Sequence, residues 1–513
     1  MDTNEHGKAG GSCSTWAGIS AGLILISLLL GLGQLTAGHN WGGDFAQYIM
    51  QAESVVKGTV ADFIAANRWT MENSYRPIGP VAYPWGLPLL LAPLYAAWGV
   101  NLLAFKLVGV AAWLGVLLLL ARYGRVRHGW AGLGLLAVLA LNPFLLAYLN
   151  QVASDLPFML ASTAAIMLMP GWNGAGQTPR RSVALGLAMA AASLLRSNGI
   201  LLVIPLAVAQ FIQVLESGRY RAGIRAAWSW DYAWPWLTFV PIYAAMTTWL
   251  PEGGSSHVGH FSLVTVQTLR ENIVYYFKLP LALYEGVPGR QAICLLTYPL
   301  CAIGMLARAR RDLPTLLYMA ATLGIYLLWP DSMQGLRFLF PLLPFYLSFT
   351  ITGVQTLTDY FSPGLRGVVL GVGLSLVVYV AGAMGVTAVD RVMTNQRLGR
   401  PAPEGPYTEV SQALFDEVRR VTQPDDHVVF FKPRVMRFLT GRPSTIQRSL
   451  DHLRPGTYLV LYRDDDGSVW PISEAEIASA LRTQWVKSVS EGARYGIYYY
   501  AGEEARVQGA NQP

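Results

Sequence analysis

Charge is what this sequence lacks most. Only 13% of its 513 residues are Asp, Glu, Lys or Arg, while 53% are hydrophobic. Soluble domains carry about a quarter charged residues. Whole stretches, 21–30 and 108–120 among them, contain no charge at all. This excludes a soluble globular domain and predicts a polytopic α-helical membrane protein. The first hydrophobic stretch, about 16–37, is long enough to span and has no small-residue cleavage site, so it reads as a retained helix and not a signal peptide. Cysteine is equally scarce. Cys13 precedes the first span, and Cys294 and Cys301 lie seven apart in one apolar run, hence on one helix face. That excludes a disulfide framework and a thiolate metal site, and leaves the cysteines as small buried apolar residues. No phosphate-binding loop, nucleotide fingerprint or Ser-His-Asp order occurs either.

The net charge of +7 is not that of a nucleic-acid binder. From Asp390 onward there are 16 basic and 16 acidic residues, so the tail is neutral. The excess sits in short clusters between hydrophobic runs: Arg122/Arg125/Arg127, Arg180/Arg181, Arg219/Arg221/Arg225, Arg308/Arg310/Arg311 and Arg366. By the positive-inside rule these face the cytoplasm. The pattern predicts about eleven spans, near 16–37, 101–121, 129–149, 155–170, 183–195, 199–215, 234–250, 291–307, 313–329, 338–354 and 367–388, after a cytoplasmic tail at 1–15. The apolar run 83–99 is short and proline-rich at its start. Counting it would reverse every later loop, so it is expected to be re-entrant or interfacial. The cytoplasmic membrane is the expected location, with the C-terminus outside.

With this topology the outer face carries the first loop (38–82), Asp155, Arg196, the loop at Arg337, the loop 251–291 and the C-terminal part. In the first loop Phe45, Tyr48, Ile49, Ala52, Val55 and Val56 recur at helical spacing, while Asp44, Gln47, Gln51, Glu53 and Lys57 lie mostly elsewhere on the wheel. An amphipathic helix along the membrane surface is predicted, ended by Gly58. A second short helix is expected at 60–67. After a Gly/Pro-rich linker (391–406), helices at 407–421 and 473–481 alternate with strands at 427–431, 457–462, 485–489 and 495–500. That is a small C-terminal α/β domain over 407–502, followed by a disordered tail at 503–513. Its basic residues Lys432, Arg434, Arg437 and Arg442 interleave with acids and read as a solvated face.

Few residues can carry chemistry. Asp44 starts the amphipathic helix, and Asp-x-x-Gln is a capping-box-like pattern. Cap and catalyst are compatible, because helix N–H groups keep a carboxylate ionised and able to accept a proton. Asp155 follows Ser154 at the start of a span; either is a helix cap, or Asp155 is a functional acid at the membrane edge. Arg337 lies at the N-terminal end of its span, against the dipole and the charge bias, and calls for an anionic partner: Asp331, a lipid headgroup or a substrate phosphate. Arg196 ends a span, where a cation suits the dipole. Arg76 and Lys57 are further phosphate candidates, and Glu72 is the nearest other loop carboxylate for a divalent cation. His257 and His260 lack a third ligand for a metal site.

The order of these motifs carries a resemblance. A first span is followed by Gly42-Gly43-Asp44-x-x-x-Tyr48, then Tyr83-Pro84-x-Gly86-x-Pro88 running to Trp98-Gly99. Ser154-Asp155-x-Pro157, Arg196-Ser197-Asn198-Gly199 and Arg337-Phe338-Leu339-Phe340-Pro341 come next. Over about 16–390 the chain resembles the GT-C membrane glycosyltransferases, bacterial relatives of the protein mannosyltransferases and the lipid A aminoarabinose transferases. The segment with Phe430-Phe431-Lys432-Pro433-Arg434 resembles the small outer domain that many of them carry. The resemblance implies a GT-C fold, a polyprenyl-phosphate-linked sugar donor and inverting transfer to a cell-envelope lipid, polysaccharide or protein on the outer face. It implies Asp44 as the catalytic base or acceptor-orienting group, with Asp155 at a second acidic position. Arg337, with Arg76 and Arg196, would stabilise the departing lipid phosphate; Tyr48 and Lys57 join the substrate-binding set. The family often has a second acid beside the first-loop aspartate. Here Phe45 and Ala46 follow, which weighs against a tightly bound catalytic metal.

Two other readings fit the composition. A transporter or flippase of a lipid-linked substrate would place its ionisable groups near the midplane, whereas here they gather at one surface. A non-catalytic scaffold would need only a partner for its tail.

Overall fold

The computed structural model describes residues 5–75, 79–172, 176–216, 230–252, 264–329, 335–399, 404–463 and 469–502. The expected tail at 503–513 lies outside them. The chain gathers into two compact units.

The first unit holds the described parts of 1–35, 103–249 and 256–400 and is helical. Among the described residues, six helical stretches are long and apolar enough to cross a membrane: Ser14–Gly33, Leu102–Ala140, Ser197–Glu216, Arg290–Arg308, Leu336–Thr358 and Pro363–Arg397. Shorter apolar helices in this unit run over Asp155–Leu168 and Leu313–Leu327. The Leu102–Ala140 stretch is not one rod. Gly129 takes φ +59°, and a Cβ on Gly132 would sit 2.2 Å from the Gly124 carbonyl carbon. The chain therefore folds back there, and only glycines permit the approach. The span expected at 129–149 is broken as well. Its helix stops at Ala140, and a new one, Pro143–Tyr148, begins under an Asn142 cap. Asn142 Oδ1 accepts from the Phe144 and Leu145 N–H groups, and its Nδ2 donates to the Leu283 carbonyl at 2.7 Å. That makes a side-chain cap in a buried setting, with Pro143 at the first helical position. Pro363–Arg397 leaves Val368, Val372, Leu374, Val378 and Val386 exposed, the apolar surface a bilayer would cover.

The second unit joins segments far apart in sequence: the described parts of 36–102, 250–255 and 401–513. The first loop forms helices Asp44–Lys57 and Val60–Glu72, and the apolar run after it forms Gly86–Trp98. The second of these is longer than the sequence suggested. The C-terminal segment adds helices Glu409–Val421, Pro433–Thr440 and Glu474–Arg482 and strands β1 (Val428–Val429), β2 (Ser444–Thr445), β3 (Thr457–Arg463), β4 (Val469–Trp470), β5 (Val486–Glu491) and β6 (Tyr495–Tyr500). The sheet order is β2-β1-β3-β6-β5, with β4 beside β3. β1 is parallel to β2 and β3, whereas β3/β6 and β5/β6 are antiparallel. Val429, Leu459, Leu461, Ile477, Val486 and Tyr498 fill its core.

The first loop does not lie alone on a surface. Met50, Phe63, Ile64, Val81, Ala82 and Trp85 form a core against which Phe438 packs. Trp41 inserts among Phe415, Phe430, Phe431 and Tyr462, at ring separations of 5.0–6.4 Å. Gln47 and Gln51, expected on the solvated side of an amphipathic helix, are both 0% exposed. The reason is a second polar partner, the chain at 80–83, which takes their amide groups.

Candidate active site

Asp44 is the first residue of its helix, and the cap position falls on Gly43. This corrects the expected capping box: the Gln47 amide instead donates to the Pro80 and Val81 carbonyls, each at 3.3 Å. The helix N-terminus still favours the ionised carboxylate. Asp44 Oδ1 accepts from the Tyr83 hydroxyl at 2.7 Å. Tyr83 Oη in turn accepts from Arg434 Nη1 at 2.9 Å. A guanidinium can only donate and a phenol has one proton, so that proton points at Asp44. Burial pushes the Tyr83 hydroxyl up to about 12, reinforced by the Asp44 carboxylate and opposed by Arg434. Tyr83 is thus a neutral donor across the physiological range. The guanidinium carbon of Arg434 also lies 5.2 Å from the Tyr83 ring centroid, and Tyr48 packs on the same ring at 5.0 Å.

The backbone around Tyr83 is fixed from several sides. Gln51 Nε2 donates to the Tyr83 carbonyl at 2.9 Å, and the Tyr83 N–H donates to Gln51 Oε1 at 3.1 Å. Asn67 Nδ2 donates to the Val81 carbonyl at 2.7 Å and accepts from Arg437 Nη1 at 2.8 Å. Arg434 Nη2 donates to the Pro80 carbonyl at 3.1 Å. Gly79, at φ +104°, lets the chain close on that guanidinium: a Cβ there would lie 2.9 Å from Nη2. Arg434 is only 8% exposed. Arg437 is half-buried, and burial pulls its guanidinium down to about 10. Arg442 donates to the Thr422 and Thr440 carbonyls. The expected solvated basic face is therefore wrong for these three residues: the tail's arginines reach backbone carbonyls and amides inside the unit.

Phe45 and Ala46, where a second acid would stand, are fully buried. Among the described residues no group of three or more His, Cys, Asp or Glu converges to hold a metal ion. Glu72 is exposed at the end of its helix. Lys57 is exposed and pairs with Glu53 one turn back. Arg76, Asp331, His257 and His260 lie outside the described residues.

In the membrane unit, Asp155 begins its helix with Ser154 at the cap position, and the Ser154 side chain makes no cap hydrogen bond. The buried Asp155 carboxylate is paired with Arg196, which follows the last turn of Pro179–Leu195. Arg196 also lies 4.6 Å from the Phe338 ring centroid, and Asn198 donates to the Tyr326 hydroxyl at 2.7 Å. Arg337 is half-buried in the 3-10 helix Leu336–Leu342, its guanidinium carbon 5.3 Å from the Phe338 ring centroid.

Sequence reasoning passed over Lys106, which is 0% exposed and donates to Asn150 Oδ1 at 2.7 Å. A lone lysine inside an apolar run was the available signal. Tyr83 and Arg434 stood within the quoted motifs, but nothing in the sequence paired them.

No family model and no curated protein matches the chain. Solved structures do. ArnT from Cupriavidus metallidurans bound to undecaprenyl phosphate aligns over 93% of this chain and 97% of its own, at TM-score 0.53 and 15% identity. The chain has the GT-C fold. Archaeal oligosaccharyltransferase AglB from Archaeoglobus fulgidus, in complex with an inhibitory peptide and a dolichol-phosphate, aligns over 89% of this chain and 74% of its own, at TM-score 0.53 and 10% identity. Identities this low establish the GT-C architecture and leave the role of each residue to its chemistry.

Proposed function

We propose that this protein is a membrane glycosyltransferase that moves a sugar from a polyprenyl-phosphate donor to a hydroxyl acceptor of the cell envelope. The observation that carries the reading is the setting of Asp44 in a GT-C fold: a carboxylate at a helix start, with a neutral phenol donating to one of its oxygens. Asp44 accepts the acceptor's hydroxyl proton as that oxygen attacks the anomeric carbon. The bond from that carbon to the phosphate oxygen breaks, and its electron pair leaves with the polyprenyl phosphate. Attack opposite the leaving group inverts the anomeric centre. Arg337, with Arg76, is assigned to the departing phosphate, where negative charge develops. Arg196 is engaged by Asp155, so we assign that pair to shaping the membrane unit's outer end. The basic clusters between spans support an outer-face reaction in the cytoplasmic membrane.

The test compares envelope glycans in a strain lacking the protein with those in a strain carrying Asp44→Asn. Both are expected to lose the same glycan, with the variant present in the membrane at the wild-type level. An unchanged glycan in the Asp44→Asn strain sinks the reading.

A further inference from the structure

We infer that Arg434, supplied by the C-terminal domain, is a positioning residue of the catalytic site that acts on Asp44 through Tyr83. The inference rests on the reading of Asp44 as the acceptor's base. Three observations carry it. Arg434, Tyr83 and Asp44 form one hydrogen-bonded line, at 2.9 and 2.7 Å, whose donor direction is forced at both steps. Arg434 is inside the protein, with its second terminal nitrogen on the Pro80 carbonyl and a glycine clearing space beside it. Tyr83 itself is locked by Gln51 through both backbone polar groups. A charged donor on the phenol oxygen polarises the phenol O–H, and the strengthened hydrogen bond favours the ionised carboxylate. The C-terminal domain is then part of the machinery that keeps the base ready, not an accessory to it.

Other groups face this line. Tyr48 packs on Tyr83, and Tyr407 lies 6.2 Å from Phe45. Burial raises the Tyr407 hydroxyl above its ordinary range, so it stays neutral. Arg437 is bonded to Asn67. His39 stacks on Phe45 at 4.1 Å, and an imidazole is the side chain type whose ordinary range lies closest to neutrality, so it needs a control.

The experiment reads Asp44 without any sugar substrate. Full-length protein in detergent is treated with a carbodiimide and glycine ethyl ester across pH, and modification of the Asp44 peptide is followed by mass spectrometry. The carboxyl oxygen adds to the carbodiimide carbon as the carboxyl proton passes to a carbodiimide nitrogen, and glycine ethyl ester then displaces the urea, so the rate follows the protonated carboxyl and the midpoint reports ionisation. In Tyr83→Phe and Arg434→Met the midpoint is expected to rise by about one pH unit. Arg434→Lys is expected to recover part of that shift, and His39→Gln to leave the midpoint in place. Tyr83→Phe/Arg434→Met should shift no further than Tyr83→Phe alone, because Arg434 acts through Tyr83. The acid limb of glycan transfer should move upward with the midpoint.

An unchanged midpoint in Tyr83→Phe and in the arginine variants overturns the proposal, even if melting temperature falls, because Arg434 then only packs the tail against the loop. A double variant that shifts by the sum of the singles also overturns the route through Tyr83. If Arg434→Met does not fold, Arg434→Lys and Tyr83→Phe carry the test. Failure of the parent reading looks different: the midpoints shift as expected while Asp44→Asn still transfers sugar.

Discussion

Gln51 and Tyr83 pair as two strand residues would, although one contributes a side chain. The Gln51 amide donates to the Tyr83 carbonyl and accepts from the Tyr83 N–H, at 2.9 and 3.1 Å, with Gln51 completely buried. Gln51→Met keeps the volume and removes both bonds, leaving a buried N–H and C=O unpaired. Each such group costs about 1–3 kcal/mol, so a loss of roughly 2–6 kcal/mol is expected in thermal or denaturant unfolding. Sugar transfer should fall as well, since Tyr83 loses the anchor that aims it at Asp44. A variant with wild-type stability and transfer would contradict the pairing.

What the sequence revealed depended on range. Local signals were readable: hydrophobic runs gave the membrane class, and Gly58 ended the Asp44 helix in a left-handed turn as expected. The strands expected at 457–462, 485–489 and 495–500 reappear as β3, β5 and β6, and of 427–431 only Val428–Val429 pairs as β1; β2 and β4, two residues each, carry no run that marks them. Asp44 was singled out from its place in the first loop. The residues that give it a setting were not readable, because hydrogen bonds to Gln51, Asn67 and Arg434 join segments tens to hundreds of positions apart. Polar residues on one side of a helix imply a solvated face unless other chain covers it, and for Gln47 and Gln51 the chain at 80–83 does so. Arg434 and Arg437 misled for the same reason: a charge pattern does not say whether a carbonyl waits opposite.

Asp155 and Arg196 make a second testable pair. Their side chains are 3% and 18% exposed. Asp155→Asn or Arg196→Met strands the partner's charge in a poorly solvated place. Breaking a buried pair costs about 3–5 kcal/mol, and the partial exposure of Arg196 reduces this to roughly 2–4 kcal/mol. Replacing both at once, as Asp155→Leu with Arg196→Met, should restore much of the melting temperature. A double variant no better than the singles would show that the arginine's other contacts, such as Phe338, dominate.

His427 predicts acid sensitivity of the C-terminal domain. Its ring nitrogens contact the Thr445 hydroxyl at 2.7 Å and the Thr457 hydroxyl at 3.3 Å, on β2 and β3. Burial, aided by Arg454, lowers its pKa to about 4. The folded state therefore binds a proton less readily than the unfolded chain, and stability falls as pH drops from the ordinary value near 6.5 towards 4. Above that window the group contributes no slope. Melting curves between pH 7 and pH 4 should show a decline that His427→Gln makes shallower. An equal decline in the variant would assign the acid sensitivity to other groups.

The last prediction concerns the membrane unit, where the helices Arg290–Arg308 and Leu343–Thr358 touch backbone to backbone. A Cβ on Gly304 would stand 1.9 Å from the Phe349 carbonyl oxygen, and one on Gly353 would stand 1.9 Å from the Leu300 carbonyl oxygen. No side-chain rotation relieves either clash, so Gly304→Ala must push the helices apart. Small residues at such crossings are what let membrane helices pack closely. A cost of about 1–3 kcal/mol is expected for the overpacked contact. The second substitution, Gly353→Ala, should add less than its own single effect, because the helices have already separated. Cys301 lies on the same helix, buried at 5% exposure, and reports the gap directly. In a Cys13→Ser background only Cys294 and Cys301 remain of the three cysteines. Maleimide should label Cys301 slowly in the parent and faster in Gly304→Ala. Equal labelling rates with an unchanged melting temperature would mean that the two helices do not cross as closely as the glycines require.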